Sequence, residues 1–417
     1  MSNKVLQLAP LLFVTLNASA QVAEHSVLAD LDLLKKIGAP ILKSDDKTNV
    51  GYSILDQDME NKLSYAAHEA GKCAGYEQIP DRPNSYLEFS SSSSMPDSMS
   101  AEQILTELAA HVAKDRRFAP TSELFASTQK HADIESALTE VSEDHIRDTV
   151  EFLSSFPTRV HNAAAPNIHV VALKNRIQSL IGSGAKVDLI SHSSTRQKSL
   201  RVRLPGTKHA NEVIVFGAHL DSINSDWSSF SSTKSAPGAD DNASGAADLV
   251  EALRILSSRP ATDRTIDFIW YAGEEAGLLG SAEIAKTYKA QGADVVAVLQ
   301  LDMTLQSGDG EFVLGSMTDF TSAWLRSYLE TLNSIYINSN IIEDQCGYGC
   351  SDHASWYRQG FPTIMPFESS FRNMNHKIHS ANDAINSNSS FSHSAIFSRI
   401  ALAMALDLGN SNLREGP

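Results

Sequence analysis

Glu274 and Glu275 stand side by side at the end of an apolar run, Ile266-Asp267-Phe268-Ile269-Trp270-Tyr271-Ala272-Gly273. β-Branched and aromatic residues dominate the run, which reads as a buried strand ended by Gly273. Two carboxylates at the carboxyl end of a core strand are costly to desolvate unless something pairs with them. A metal ion for one and a proton-transfer task for the other would account for both. Three further segments share this form, an apolar run leading to a ligand-type residue. Residues 213–216 run into His219 and Asp221, 295–301 into Asp302, and 361–367 lead toward His379.

Each piece alone has an ordinary explanation. His219 and Asp221 lie two apart and face the same way in an extended segment, which places Asp221 to orient the imidazole. A lone His-x-Asp pair is nevertheless common. The stretch Pro237-Gly238-Ala239-Asp240-Asp241-Asn242-Ala243-Ser244-Gly245 offers a bridging carboxylate among small residues. In it, Asp241 or Asn242 would equally serve as a helix cap. The glutamate pair also suits a helix start, and Asp302 suits a cap. Together, two His, two Asp and a Glu supply nitrogen and oxygen ligands suited to zinc, with Glu274 as an unbound neighbour. One bridging carboxylate with two terminal ligands per ion would hold two ions about 3.5–4 Å apart.

The elements that position these residues are legible from residue 133 onward. Apolar spacing predicts helices over 141–156 (with Ser142 as cap), 163–183, 244–257, 278–290 and 392–408. Strands are predicted over 186–191, 199–204, 212–218, 265–272 and 294–303. This alternation specifies an α/β fold, a mainly parallel mixed sheet flanked by helices on both faces. In open sheets of this kind ligands collect at the carboxyl ends of the strands, where the candidate ligands fall.

The 417 residues are 42% hydrophobic and 20% charged, enough for a sizeable core. A formal charge of −16 argues against a nucleic-acid binder, since phosphate contacts need clustered Lys and Arg. Lys4 precedes an apolar stretch over 6–16, and Ala18-Ser19-Ala20 has the small-x-small pattern of a signal-peptidase site. Residues 1–20 read as a secretory signal, too short for a membrane span, and no later stretch is long and apolar enough for one. A secreted chain admits a local disulfide between Cys346 and Cys350; a Cys-only zinc site lacks two further Cys ligands. Cys73 is left over. Residues 21–120 read as a propeptide of mixed short helical stretches, with a five-serine run at 90–94 and cleavage between Ser90 and Ala132. Residues 121–417 then form the catalytic domain.

The order and spacing of these motifs over 133–410 resemble the secreted bacterial leucyl aminopeptidases of the co-catalytic di-zinc peptidase family. The most specific stretch is Cys346-Gly347-Tyr348-Gly349-Cys350-Ser351-Asp352-His353-Ala354-Ser355-Trp356, followed by Met365-Pro366-Phe367-Glu368-Ser369. The resemblance implies two Zn2+ per chain, with Asp241 bridging, Glu275 and His379 completing one site, and His219 and Asp302 the other. It implies Glu274 as general base and Asp221 as the partner of His219, with His353 and His376 structural. It implies an apolar substrate pocket at Met303, Tyr348, Met365, Phe367, Phe371 and Ile378. Met374 departs from the family pattern, which has an aromatic residue there. The expected enzyme is a monomeric, secreted aminopeptidase that acts on peptides or proteins with a free amino terminus and is released by an activating protease. Alternatives on the same scaffold are a carboxypeptidase, a dipeptidase, a glutaminyl cyclase or an inactive binding module. No Gly-x-Ser-x-Gly elbow supports a serine hydrolase.

Overall fold

The computed structural model describes residues 24–45, 49–70, 72, 76–79, 130–225 and 234–411. The expected secretory signal, Cys73 and the serine run lie outside the described residues.

The amino-terminal module contains β1 (Glu24–Asp30), α1 (Leu31–Lys36), β2 (Lys43–Asp45), β3 (Val50–Asp56), α2 (Gln57–Glu69) and β4 (Tyr76–Ile79). Its strands form an antiparallel sheet in the order β2-β3-β1-β4, and Val27, Leu34, Leu55, Leu63 and Ala67 build a core of its own. Sequence reading expects only mixed short helical stretches here. Polar and apolar residues mix on both faces of β1 and β3, as with Ser53 buried beside Leu55, so their alternation is weak and pairing supplies what local pattern does not.

The larger unit opens with α3 (Ala132–Leu138), α4 (Glu143–Ser154) and α5 (Ile168–Leu180). Ser142 caps α4 by accepting from the His145 N–H at 3.3 Å, as its sequence position predicts. The predicted helix at 163–183 starts five residues late, at Ile168. Next come β5 (Lys186–Ile190), β6 (Ser199–Leu204), β7 (His209–His219), α6 (Ala243–Ser257), β8 (Arg264–Tyr271), α7 (Leu279–Ala290) and β9 (Asp294–Gln300). The chain continues through β10 (Val313–Met317), α8 (Ala323–Leu332), β11 (Asn340–Asp344), α9 (His353–Arg358), β12 (Thr363–Ile364), β13 (Pro366–Phe367) and α10 (Phe391–Asn410).

The main sheet has the order β12-β9-β7-β8-β6-β5. The pairs β12–β9, β9–β7 and β7–β8 are parallel, whereas β8–β6 and β6–β5 are antiparallel. A smaller sheet, β11-β10-β13, lies beside it. The strand period of two sorts the core. Ile214, Phe216 and Ala218 of β7 face the helices α4, α5, α6 and α10, with Phe268 and Trp270 of β8. Val213 and Val215 face the other way, onto α7 and α9, with Ile269 and Tyr271. Each fully buried side chain of this kind contributes about 1.5–3 kcal/mol. Trp270 also donates its indole N–H to the Ala246 carbonyl at 3.0 Å, which pins α6 to β8.

The topology explains where a site forms. From β7 the chain passes through α6 to β8 on one side, then through α7 to β9 on the other side of β7. The strand order therefore reverses around β7, leaving a crevice at the carboxyl ends of β7, β8 and β9.

Candidate metal centre

Three strands deliver residues to that crevice. β7 ends at His219, β8 leads through Gly273 to Glu274 and Glu275, and β9 stops at Gln300, two residues before Asp302. Sequence reading carries this last strand on to Met303. Its early end turns Asp302 toward His219, and Met303 takes a left-handed φ of 64°. His379, from the loop before α10, is also left-handed at φ 56°. Such backbones are strained for residues with a Cβ and persist only where the surroundings hold them.

Asp241 sits between two groups. Its Oδ1 is 3.0 Å from His219 Nε2, which is 3.3 Å from Asp302 Oδ1. Its Oδ2 is 3.0 Å from His379 Nε2, which is 3.2 Å from Glu275 Oε2. Within each triad, His219–Asp241–Asp302 and Asp241–Glu275–His379, the ligand atoms lie within 4.8 Å of one another, and all five residues are buried. Yet neither Asp241 oxygen has a hydrogen-bond partner, because the imidazoles approach without hydrogen-bond geometry. Oxygen and nitrogen atoms aimed together in this way suit ions placed between them. Imidazole with carboxylate is a normal zinc donor set, so the residues fit the metal.

Neighbouring groups fix these ligands. A proton on His219 Nδ1 points to the Asp221 carbonyl at 3.2 Å, which leaves the Nε2 lone pair for a metal. The Asp221 carboxylate lies 3.6 Å from the same Nδ1. It has a second task that sequence does not indicate: it accepts from the Glu274 N–H at 3.0 Å and the Glu275 N–H at 3.2 Å. Asn242 caps α6 by accepting from the Gly245 N–H at 3.0 Å, so Asp241 is not needed as the cap. Asp240 is occupied elsewhere, accepting from the Leu305 N–H and the Asn375 side-chain amide, each at 3.0 Å. Ser351 donates to Asp302 Oδ2 at 2.5 Å, and Gln300 donates to Ser351 at 3.1 Å. Ser351, Asp383 and the buried Arg159 have no local signal that singles them out.

Glu274 is fully buried with no hydrogen-bond partner on either oxygen. Burial raises its pKa well above the ordinary carboxylate value; His219 opposes this, and Glu275 and Asp302 reinforce it. Burial also raises Asp302 against the pull of His219. Asp241 is lowered despite burial, because His219 and His379 face it. A dry carboxyl beside a ligand set has the setting of a general acid–base group. His353 and His376 lie apart from these triads: His353 Nε2 faces the Asp319 carbonyl at 3.0 Å, and His376 Nε2 faces that of Arg372 at 2.9 Å.

Beside Asp302 lies an apolar cluster. Met303, Met365, Phe367 and Ile378 are buried in it, with Tyr348 and Phe371 packed against them. Met317, Cys350 and Met374 join the cluster, and a small cavity opens onto Asp302, Met303, Met317 and Met374. The departure at Met374 therefore lies on the cavity wall. Cys346 and Cys350 form the expected disulfide.

The amino-terminal module reaches the same region. Ser64 donates to the Glu275 carbonyl at 3.2 Å, and Tyr76 donates to the Ala276 carbonyl at 3.0 Å. The Tyr76 ring packs so closely on Gly277 (φ 102°) that a Cβ there would come within 3.0 Å of it. Lys72 Nζ lies 5.7 Å from the centre of the Tyr348 ring.

Comparison with known proteins points the same way. Residues 200–404 match the model for peptidase family M28. Leucine aminopeptidase 1 of Coccidioides posadasii is 36% identical over 307 residues, 69% of this chain and 77% of that protein. Leucine aminopeptidase 1 of Aspergillus niger is 35% identical over 302 residues, 68% of this chain and 75% of that protein. The crystal structure of Legionella pneumophila LapA aminopeptidase superimposes with a TM-score of 0.75 at 24% identity, over 93% of this chain and 99% of that one. These two relatives are fungal, so they lend nothing to the bacterial part of the resemblance; the likeness to the Legionella protein is one of fold.

Removing metal leaves these buried carboxylates without compensation, so chelation lowers the thermal unfolding midpoint. With zinc a hundredfold above its dissociation constant, the stabilisation is about 2.7 kcal/mol. Calorimetry with and without chelator reads this, and Asp241→Asn shrinks the difference. An equal midpoint in both conditions counts against a metal centre.

Proposed function

From the fact that this chain belongs to peptidase family M28, we propose that it is a secreted zinc aminopeptidase that removes apolar residues of leucine type from free peptide amino termini. The observation that carries this reading is Asp241, shared between two His-and-carboxylate groups beside the dry carboxyl of Glu274. The names of the fungal relatives support the substrate class.

In this reading His219, Asp241 and Asp302 would hold one Zn2+, and Asp241, Glu275 and His379 would hold a second. Zinc lowers the pKa of bound water and polarises a carbonyl oxygen. Glu274 takes a proton from the attacking water and later delivers it to the leaving amine. Asp221 keeps Glu274 in place through its backbone N–H. The acidic surroundings of the site attract the substrate's α-ammonium group, which sets the cut after one residue. Met303, Met365, Phe367 and their neighbours receive that residue's side chain. The chain works as a monomer and leaves the cell under the direction of residues 1–20.

Residues 21–120 act as a propeptide in the same reading. The contacts of Ser64 and Tyr76 with the turn after Glu274, and of Lys72 near Tyr348, support a restraint on the ligand turn and on the pocket rim. An activating protease cutting between Ser90 and Ala132 would lift it.

Two outcomes check the reading. Glu274→Gln lowers kcat by about 10²–10⁴-fold on leucyl substrates and leaves bound zinc unchanged, as read by steady-state kinetics and metal analysis. Equal loss of zinc would show that Glu274 is a ligand, and cleavage confined to amino-blocked peptides would sink the aminopeptidase assignment. Separately, protease-trimmed enzyme exceeds the full-length chain in kcat/KM, and Ser64→Ala with Tyr76→Phe moves the full-length chain toward the trimmed value. Identical activity before and after trimming contradicts the propeptide role.

A further inference from the structure

The loop carrying Asp241 is held by a residue the zinc reading does not use. Asp383 lies four positions after His379 and is buried at 1% exposure. Its carbonyl oxygen accepts the Ala239 N–H at 3.0 Å. Its Oδ1 accepts the Asp240 N–H, and its Oδ2 the Asp241 N–H, each at 3.1 Å. Three consecutive N–H groups of one loop therefore end on a single residue of another. The Asn375 side-chain amide, 3.3 Å from Oδ1, orients the carboxylate.

The opposite edge of the same loop is fixed by Arg159. Its guanidinium donates to the Gly238 carbonyl at 2.9 Å and also to that of Pro237. It reaches the Leu220 carbonyl, beside His219, at 2.9 Å. Gly238 has φ 51°, and a Cβ there would lie 2.7 Å from the guanidinium and 2.4 Å from the Asp241 carbonyl. Carbonyls are thus held by a guanidinium and N–H groups by the acceptor oxygens of a carboxyl group, which fixes the loop from both edges. Asp221 does the same for the N–H groups of Glu274 and Glu275.

We infer that Asp383 is a positioning residue: it clasps the Asp241 loop to the His379 loop and so sets the bridging carboxylate for both metals. The inference rests on the di-zinc reading. A carboxylate shared by two ions must be correctly placed toward each, and site geometry has to be held to about 0.5 Å. With the Asp241 N–H anchored, only the side-chain torsions remain to be set. His379 is drawn into the same frame, since its carbonyl accepts the Ser225 N–H at 2.9 Å on the far side of the crevice.

The test titrates zinc into metal-depleted full-length protein against a competing chelator, with circular dichroism to establish folding. Wild-type protein takes two ions. Asp383→Asn keeps the residue's size but turns a donor toward one of the two N–H groups. It is expected to fold, to bind zinc about 10–100-fold more weakly, and to lose kcat with little change in KM for a leucyl substrate. Glu274→Gln, measured alongside, loses kcat with wild-type zinc affinity, which separates positioning from proton transfer. Folded Asp383→Asn with wild-type zinc affinity overturns the inference and leaves the site reading intact. Wild-type protein that binds no zinc overturns both. Should Asp383→Asn not fold, Asn375→Ala removes the amide that Asp383 Oδ1 shares with Asp240 Oδ2 and leaves the Asp383 carboxyl group itself in place. Zinc affinity several-fold weaker in that folded variant supports the clasp, and unchanged affinity overturns it.

Discussion

The rest of the structure depends on Asp241 being held, buried, between two imidazoles with neither of its oxygens hydrogen-bonded. An ionised carboxylate in such a place is expensive to desolvate, and three more carboxyl groups, those of Glu274, Glu275 and Asp302, crowd around it. Two imidazoles and the buried Arg159 cannot offset all of it. Divalent cations can, and the donor atoms are already grouped to receive them. A site of this kind needs rigid walls, because the carboxylates repel one another before metal arrives. The chain supplies those walls through backbone contacts: Asp221 grips the glutamate turn, Asp383 grips the aspartate loop, and Arg159 ties the carbonyls of the aspartate loop to that of Leu220 beside His219.

The fold makes this economical. Parallel strands β7, β8 and β9 bring three ligand-bearing loops to one edge, and the reversal of strand order around β7 leaves the space between them. Helix α6 starts where Asn242 caps it, one residue after Asp241, so the core helix directly anchors the residue proposed to bridge the ions. Helices on both faces bury the sheet and keep its carboxyl edge fixed. The apolar cluster on the β10 side then places a side-chain pocket next to Asp302. In this peptidase of family M28 the candidate ligands thus lie at the edge of the main sheet, and the candidate pocket lies largely on the smaller sheet and the loops around it.

Much of this was legible in the sequence because ligand types ended apolar runs. His219, Glu275 and Asp302 each follow a strand whose pattern is strong, and the sheet and its helices follow from the same alternation. Asp241 and His379 lie in loops, where period says nothing; their residue types mark them as candidates, and the resemblance selects Asp241 as the bridge and gives His379 its role. The supporting residues were not legible. Asp383 and Arg159 act through backbone groups far away in sequence, and a solvent-exposed Asp or Arg would look identical on the page. The amino-terminal sheet was missed for a related reason, since β1 pairs with β3 and β4 by non-local contacts that short polar strands do not announce.

The central claim is that two ions share Asp241. Anomalous diffraction from crystals of the zinc-loaded protein, collected across the zinc absorption edge, tests it most directly. The account predicts two peaks about 3.5–4 Å apart, one beside His219 and Asp302 and the other beside Glu275 and His379, with one Asp241 oxygen on each. A single peak at full zinc occupancy, or peaks that leave Asp241 uncoordinated, would contradict it.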